Sequence, residues 1–428
     1  MSGTLLIIGK VWPEPGSSAA GRHMLELIRL LQQQDWQIHF ATPAADSHYR
    51  IDLAALGIPE HSIEVNSSRF DDWLKSLQPQ LVLFDRFVME EQFGWRVAQV
   101  CPEAIRILDT EDIHALRHAR QQALKQERAV SDADLSSDIA KREIASILRC
   151  DLSLIISEYE MQLLQQHYRV SADLLCYLPF LCEPISQQQM AQWPGFGQRK
   201  DFLFVGTLVH GPNLDAVRYL QRDIWPRIRQ LLPDACLHVV GAYAGNDVLQ
   251  MQNEQQGFLV HGRVEDLQPF LHGCRVCLAP LRFGAGLKGK LLEAMANGLP
   301  NVSTSIGAEA IAGDLDWPGL IAQRPQDFAE AAVHLYADEM LWTQAQQRGR
   351  AVINQRFAKK AHIDVFMQRL DGLQQHLPQQ RQANFTGQML QYHTTRSTEY
   401  MARWIECKNR FKAIENAETG NNEKNGQA

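Results

Sequence analysis

An α/β architecture of two doubly wound domains in series follows from three features of this sequence. Short apolar runs alternate with helix-periodic stretches along most of the chain. The texture breaks once near the middle, and the same alternation then begins again. The length agrees, because 428 residues exceed one ordinary core and fit two domains of about 150–200 residues each.

The first cycle opens with Leu5 to Ile8, a buried-strand pattern, followed by the breaker-rich loop Pro13-Glu14-Pro15-Gly16-Ser17-Ser18. Met24, Leu27, Ile28 and Leu31 then recur at helical spacing, and Ile38 to Ala41 form a second apolar run. This strand–loop–helix–strand order is a βαβ unit and implies a parallel sheet. The alternation continues through Leu81 to Phe84, Ile105 to Leu108 and Leu152 to Ile156. A polar stretch at 115–149 is predicted as two helices broken near Ser131-Asp132. From Leu178-Pro179 to Pro194-Gly195 the chain turns rich in Pro, Gln and Gly, which marks a linker.

The second cycle starts at Phe202 to Gly206, with further strands predicted at 237–240, 258–260, 276–279 and near 301–303. Helices are predicted near 216–232 and 287–297. After about residue 365 a glutamine-rich helix is expected to end in a loop at Pro378, with another helix near 389–412 and a disordered, Asn-rich tail. The predicted division is 1–183, 184–365, a helical extension at 366–412, and a tail at 413–428. No repeat of 20–50 residues argues for a solenoid.

With 45% hydrophobic and 21% charged residues the chain reads as globular, and its net charge of −7 argues against nucleic acid as the main partner. No run reaches the ~18 apolar residues of a membrane span. The Leu5–Ile8 run is too short for an export signal and has no basic region before it. The eight cysteines have no framework spacing, so reduced thiols and a cytoplasmic location are expected.

The most informative segment runs from Ala279 to Pro300: APLRFGAGLKGKLLEAMANGLP. It leaves a strand, passes a glycine-rich turn and enters a helix, where small residues and free N–H groups favour an anion. Arg282, Lys288 and Lys290 bring cations to that turn, and Glu293 stands one turn after Lys290. This string resembles the donor-binding segment of group 1 GT-B glycosyltransferases, in which the helix reads Glu-Ala-Met-Ala followed by Gly and Pro. The resemblance implies that Glu293 binds the nucleotide's ribose. It extends over roughly residues 4–365, through Phe204-Val205-Gly206, His210 to Ala216, Ile224-Trp225-Pro226, Val239-Val240-Gly241, Thr304 to Glu309 and Ile156 to Glu160.

The fold it implies is GT-B, two Rossmann-like domains facing across a cleft. The donor residues implied are Gly16, Gly206, Thr207, Arg282, Gly286, Lys288, Lys290 and Glu293. Two departures stand out. Ala285 occupies the place of a second family Glu, and Thr207 and Pro212 occupy those of an Arg and a Lys that hold the diphosphate in many relatives.

In the first half, Asp109-Thr110-Glu111-Asp112-Ile113-His114-Ala115-Leu116-Arg117 follows a strand. So many ionisable groups are costly to bury unless paired or used. An acidic helix start would explain Thr110 and Glu111 but not His114 and Arg117. The resemblance makes this the acceptor-side loop, with Asp112 and His114 as the catalytic candidates.

Other patterns carry less. Cys274 and Cys277 read as buried structural thiols, since no second pair completes a zinc site. Asp71-Asp72 reads as a helix cap rather than a metal-binding Asp-x-Asp motif. Neither a dinucleotide fingerprint nor a Gly-x-Ser-x-Gly elbow is present.

The resemblance implies a retaining transfer of a sugar from a nucleotide-diphosphate sugar to a glycan, lipid-linked or other acceptor, with no cofactor, and metal independence is expected because no convincing Asp-x-Asp motif or histidine cluster follows a strand end. A nucleotide-sugar epimerase on the same fold and a non-catalytic nucleotide-sugar-binding protein are the alternatives. The basic, aromatic stretch 389–412 adds a peripheral membrane contact as a minor expectation.

Overall fold

The computed structural model describes residues 3–425. Two all-parallel sheets carry the fold. The first has seven strands: β1 (Gly3–Ile8), β2 (Trp36–Thr42), β3 (Glu60–Ser62), β4 (Leu81–Asp85), β5 (Ile105–Asp109), β6 (Leu152–Ile155) and β7 (Leu175–Tyr177). Their spatial order is β3-β2-β1-β4-β5-β6-β7. The second has six: β8 (Phe202–Val205), β9 (Leu237–Val240), β10 (Phe258–Gly262), β11 (Val276–Ala279), β12 (Asn301–Ser303) and β13 (Gly319–Ile321), in the order β10-β9-β8-β11-β12-β13. Both are doubly wound. The order reverses between β1 and β4 and between β8 and β11, and ligands of such sheets bind beyond the strand carboxyl ends at that reversal.

Both faces of each sheet are buried, which accounts for the continuous apolar runs. Leu6, Ile8, Val82, Phe84 and Leu108 pack on one face of the first sheet, and Leu5, Ile7, Leu81, Leu83 and Ile107 on the other. The second sheet packs Phe202, Phe204, Val239, Val276 and Leu278 against Ile224, Trp225, Phe328 and Trp342. Strands β3, β7 and β13 were not expected. Each spans three residues, too few to display a period.

The predicted pair of helices at 115–149 is three, His114–Lys125, a single turn at Asp132–Leu135 and Asp138–Arg149. Asp71 and Asp72 do not cap their helix. Ser67 holds the N-cap position, Asp71 pairs with the buried Arg96, and Asp72 pairs with Lys75.

The chain passes between the sheets twice, and the two crossings lie together. Cys182 N–H donates to Phe357 O at 2.8 Å, and Lys359 N–H donates to Cys182 O at 3.0 Å. The helix Lys359–Ala383 then returns to the first sheet. Its Phe366, Leu370, Leu373 and Leu377 are buried among Leu5, Ile7, Leu81 and Leu83, each burial contributing roughly 1.5–3 kcal/mol before ordering costs. Arg381 fixes this return with two 2.8 Å bonds to Asp151.

Two expectations for this region are corrected. Pro378 does not end its helix. The missing N–H and the ring's clash with the preceding turn are absorbed by a kink, with His376 at φ −130° and ψ 24°. The break comes instead at Asn384, whose side chain donates to Leu148 O and accepts from Gly387 N–H. Nor is the tail disordered from 413, because one helix runs from Phe385 to Asn425. Ala413, Glu415, Ala417 and Glu418 are good helix formers and extend it. The last three residues of the expected tail lie outside the described residues.

Candidate active site

The carboxyl ends of the central strands of both sheets face a cleft of about 800 Å³. One wall is made by the loops after β1, β4 and β5, the other by those after β8, β9 and β11.

On the second-domain wall, the turn after β8 leaves no room for side chains. A Cβ on Gly206 would lie 2.7 Å from both Asn213 Nδ2 and Lys290 Nζ. Lys290 donates to Asn213 Oδ1 at 2.5 Å and lies 4.6 Å over the Phe204 ring. Burial lowers its pKa to about 7. Lys288 is also buried, donating to Gly286 O at 2.7 Å and Ala285 O at 3.2 Å. Burial brings its pKa to about 8, with Glu309 acting in the opposite direction. No side chain caps the helix Gly289–Ala296, so its first N–H groups remain available to an anion.

Glu293 lines the cleft from that helix, where both its oxygens meet Arg22 of the first domain. Arg22 Nη1 lies 2.7 Å from Oε1, and Nη2 donates to Oε2 at 3.1 Å. Gly16 faces Arg263 across the cleft mouth. Thr207 Oγ1 donates to Ser17 O at 2.5 Å, joining the two domains rather than pointing into open space. Two of the donor candidates do not line the cleft, Gly286, which sits where the walls meet, and Arg282. Arg282 pairs with Asp215 and stacks on Tyr219.

On the first-domain wall, Asp109 ends β5 and Asp112 and His114 follow. The helix there begins at His114, with Ile113 as N-cap and no acidic residue in its first turn. Its end is held by carboxylates from elsewhere. Glu143 accepts from His114 N–H and Ala115 N–H at 2.9 Å each, and Glu160 accepts from Ile113 N–H at 2.8 Å. Asp112 is thus free of capping duty. It pairs with Arg117 and lies 3.4 Å from His114 Nε2. Burial opposes its charge, but Arg117, His114 and His210 together hold its pKa below the usual carboxylate range. Burial lowers His114 to about 3, and the neighbouring Arg117, Arg86 and Lys10 push the same way, so its ring is neutral. Burial also takes His210, from the opposite wall, down to about 4.

The two walls meet at Gly286. Its φ of 64° suits glycine, and a Cβ there would lie 2.9 Å from Asp112 Cβ. Glu160 accepts from Gly286 N–H at 2.8 Å, and Arg120, on the helix that carries His114, donates to Gly284 O and pairs with Glu309.

Among the described residues, Asp85, Asp109 and Glu111 form a trio whose carboxylate oxygens lie within 4.8 Å of one another. It arises because β4 and β5 pair Asp85 with Asp109, a cross-strand neighbourhood that sequence reading missed. Arg86 Nε lies 3.6 Å from Asp85, and burial raises the pKa of Asp109 and Glu111.

Sequence reading also missed Arg22, Glu143, Glu160, His210 and Asn213 as parts of the site. Cys274 and Cys277 are buried free thiols with raised pKa, as expected of structural residues.

Comparison with known proteins fits this geometry. Residues 199–338 match the family described as Glycosyl transferases group 1, while no curated sequence matches the chain. Among solved structures, it is similar to sucrose-phosphate synthase from Thermosynechococcus elongatus, with 15% identity, a TM-score of 0.63, and coverage of 86% of this chain and 99% of that one. HepE from Anabaena, in complex with UDP and glucose, has 13% identity, a TM-score of 0.63 and coverage of 86% and 99%. A glycosyltransferase from Rickettsia africae has 10% identity, a TM-score of 0.61 and coverage of 86% and 97%. At such identities the likeness is one of fold, the two-domain GT-B architecture.

Proposed function

We propose that this chain, whose residues 199–338 match the Glycosyl transferases group 1 family and whose frame is GT-B, transfers a sugar from a nucleotide-diphosphate sugar to a glycan or lipid-linked acceptor, with retention and without a metal ion. The observation that carries this reading is the meeting at Gly286. There the loop bearing Asp112 and His114 touches the turn that leads to Lys288, Lys290 and Glu293.

Lys288, Lys290 and the Gly289–Ala296 helix N-terminus take the diphosphate and stabilise the charge that grows on it as the sugar–phosphate bond breaks. Asp112 faces the reacting sugar, and neutral His114 offers it a hydrogen bond. Glu293 takes the ribose once Arg22 yields it. The Anabaena neighbour holds UDP and glucose, which makes UDP-sugars the first donors to try. The reaction belongs in the cytoplasm, with peripheral contact to the inner membrane face through 389–412.

The test is a thermal-shift screen of nucleotide sugars, followed by a transfer assay with the best binder. A specific donor that stabilises the protein and is consumed only with an acceptor supports the reading. Conversion of the donor to an isomer without acceptor would point to an epimerase. Binding without turnover on any acceptor would leave a non-catalytic sensor.

A further inference from the structure

The helix Phe385–Asn425 lies against the first domain by the face that carries Gln391, Glu399, Ala402 and Glu406. Gln391 Nε2 donates to Arg149 O, Glu399 accepts from Gln99, and Glu406 accepts from Ser68 N–H and Oγ. Ala402 is buried in that contact. With about 100° between successive residues, Tyr400, Trp404 and Phe411 fall within ~40° of one another and point away from Ala402. They are 68%, 59% and 63% exposed, and exposed apolar groups gathered on one face mark an interaction surface where scattered ones do not. One edge of this stripe is cationic, flanked by Lys408 and Lys412, four apart. On the other edge stand Arg403 and Arg410, paired with Glu399 and Glu406 of the same helix.

We propose that this stripe is a docking face for the surface of an anionic phospholipid bilayer. The inference rests on the peripheral-contact part of the function proposed above and gives it a surface and a ligand chemistry. Residues 385–412 contain Arg396, Arg403, Lys408, Arg410 and Lys412 against Glu399 and Glu406, a local net charge of +3 in a chain of −7, while the end of the helix carries Glu415, Glu418 and Glu423 against Lys424. That local excess complements an anionic surface and opposes a second copy of the same helix. Trp and Tyr present an apolar body and a polar tip, the chemistry of the headgroup layer, and flanking Lys and Arg reach from an apolar stripe to phosphates. Among the described residues no helix is long and apolar enough to cross a membrane, so the contact lies along the surface.

The experiment is co-sedimentation of the full chain with phosphatidylcholine vesicles, with and without about 30% phosphatidylserine, in the absence of donor and acceptor. Binding to the anionic vesicles is expected to weaken with salt. It should fall at least about tenfold in Tyr400→Ala/Trp404→Ala/Phe411→Ala and in Lys408→Glu/Lys412→Glu. All five sites are exposed, and an unchanged Tm for each variant shows that the fold is kept. Trp404→Ala alone serves if the triple variant is unstable.

Equal binding of parent and variants, equal binding to neutral vesicles, or a concentration-dependent dimer lost in the triple variant would each overturn the proposal. Donor-dependent transfer in solution is read separately. Failure of vesicle binding therefore leaves the transferase reading standing, and failure of transfer leaves the docking face standing.

Discussion

Glu160 Oε1 accepts the backbone N–H of Gly286 at 2.8 Å across the domain boundary while accepting that of Ile113 at 2.8 Å within its own domain. One carboxyl oxygen thus ties the loop that bears Asp112 and His114 to the turn at Gly286. Glu160→Gln keeps an acceptor oxygen and should fold and turn over nearly normally. Glu160→Ala leaves two buried N–H groups unpaired, at about 1–3 kcal/mol each. Its Tm and kcat should both fall, and an Ala variant as active and stable as the Gln variant would refute this role.

The same carboxyl makes stability depend on pH. Burial raises the pKa of Glu160 and of Glu143 from 4.5 to about 8. The folded state then binds protons more tightly than the unfolded one, so stability is highest at acid pH and is lost between about 4.5 and 8. Denaturant midpoints should decline over that window, less steeply in Glu160→Gln. A flat profile in the parent protein would count against buried, protonated carboxyls.

Donor binding should depend on Lys288, Lys290 and Glu293. A lost charge-assisted contact costs about 1.5–3 kcal/mol, so Lys288→Ala and Glu293→Ala should weaken donor affinity roughly ten- to a hundredfold. Because burial holds Lys290 near 7, affinity for the diphosphate should drop as pH rises from 7 to 9, and Lys290→Arg should flatten that trend. Isothermal titration at several pH values measures both effects.

Arg22 occupies both carboxylate oxygens of Glu293, the group proposed to take the ribose. Its side chain is 39% exposed, so the pair itself is worth no more than about 1 kcal/mol. Arg22→Ala should therefore leave Tm almost unchanged while tightening donor binding up to about fivefold. Weaker donor binding in this variant would instead make Arg22 part of the donor site.

Asp112→Asn and His114→Ala should lower turnover far more than donor affinity, the mark of contacts made mainly in the transition state. Since His114 is held near 3, no step in the rate profile above pH 5 should vanish in His114→Ala. Activity should also survive EDTA. A complete loss restored by magnesium would reveal a metal site.

Much of the fold could be read from the sequence because buried parallel strands and amphipathic helices announce themselves locally. Leu5 to Ile8 and Leu81 to Phe84 needed no partner to be recognised. The edge strand at Gly319–Ile321 did, since three residues show no period. The donor turn was legible because Lys288, Lys290 and Glu293 sit within six residues. Glu160 and Arg22 were not, because their partners Gly286 and Glu293 lie 126 and 271 residues away. Arg282 looked like a donor cation by position alone, and only the placement of Asp215 shows where it is committed.

The return of the Lys359–Ala383 helix to the first sheet also sets an order of maturation. While the chain is being synthesised, the face formed by Leu5, Ile7, Leu81 and Leu83 has only part of its cover, from Met24, Leu27, Ile28 and Leu31, until Phe366 to Leu377 emerge. The second sheet has all its strands by Ile321 and packs against Phe328 and Trp342. The half that begins translation is therefore the last to close, and until then it presents bare apolar surface to the ribosome exit and to chaperones. A chain ending near residue 358 would pair a finished second domain with an unfinished, aggregation-prone first domain.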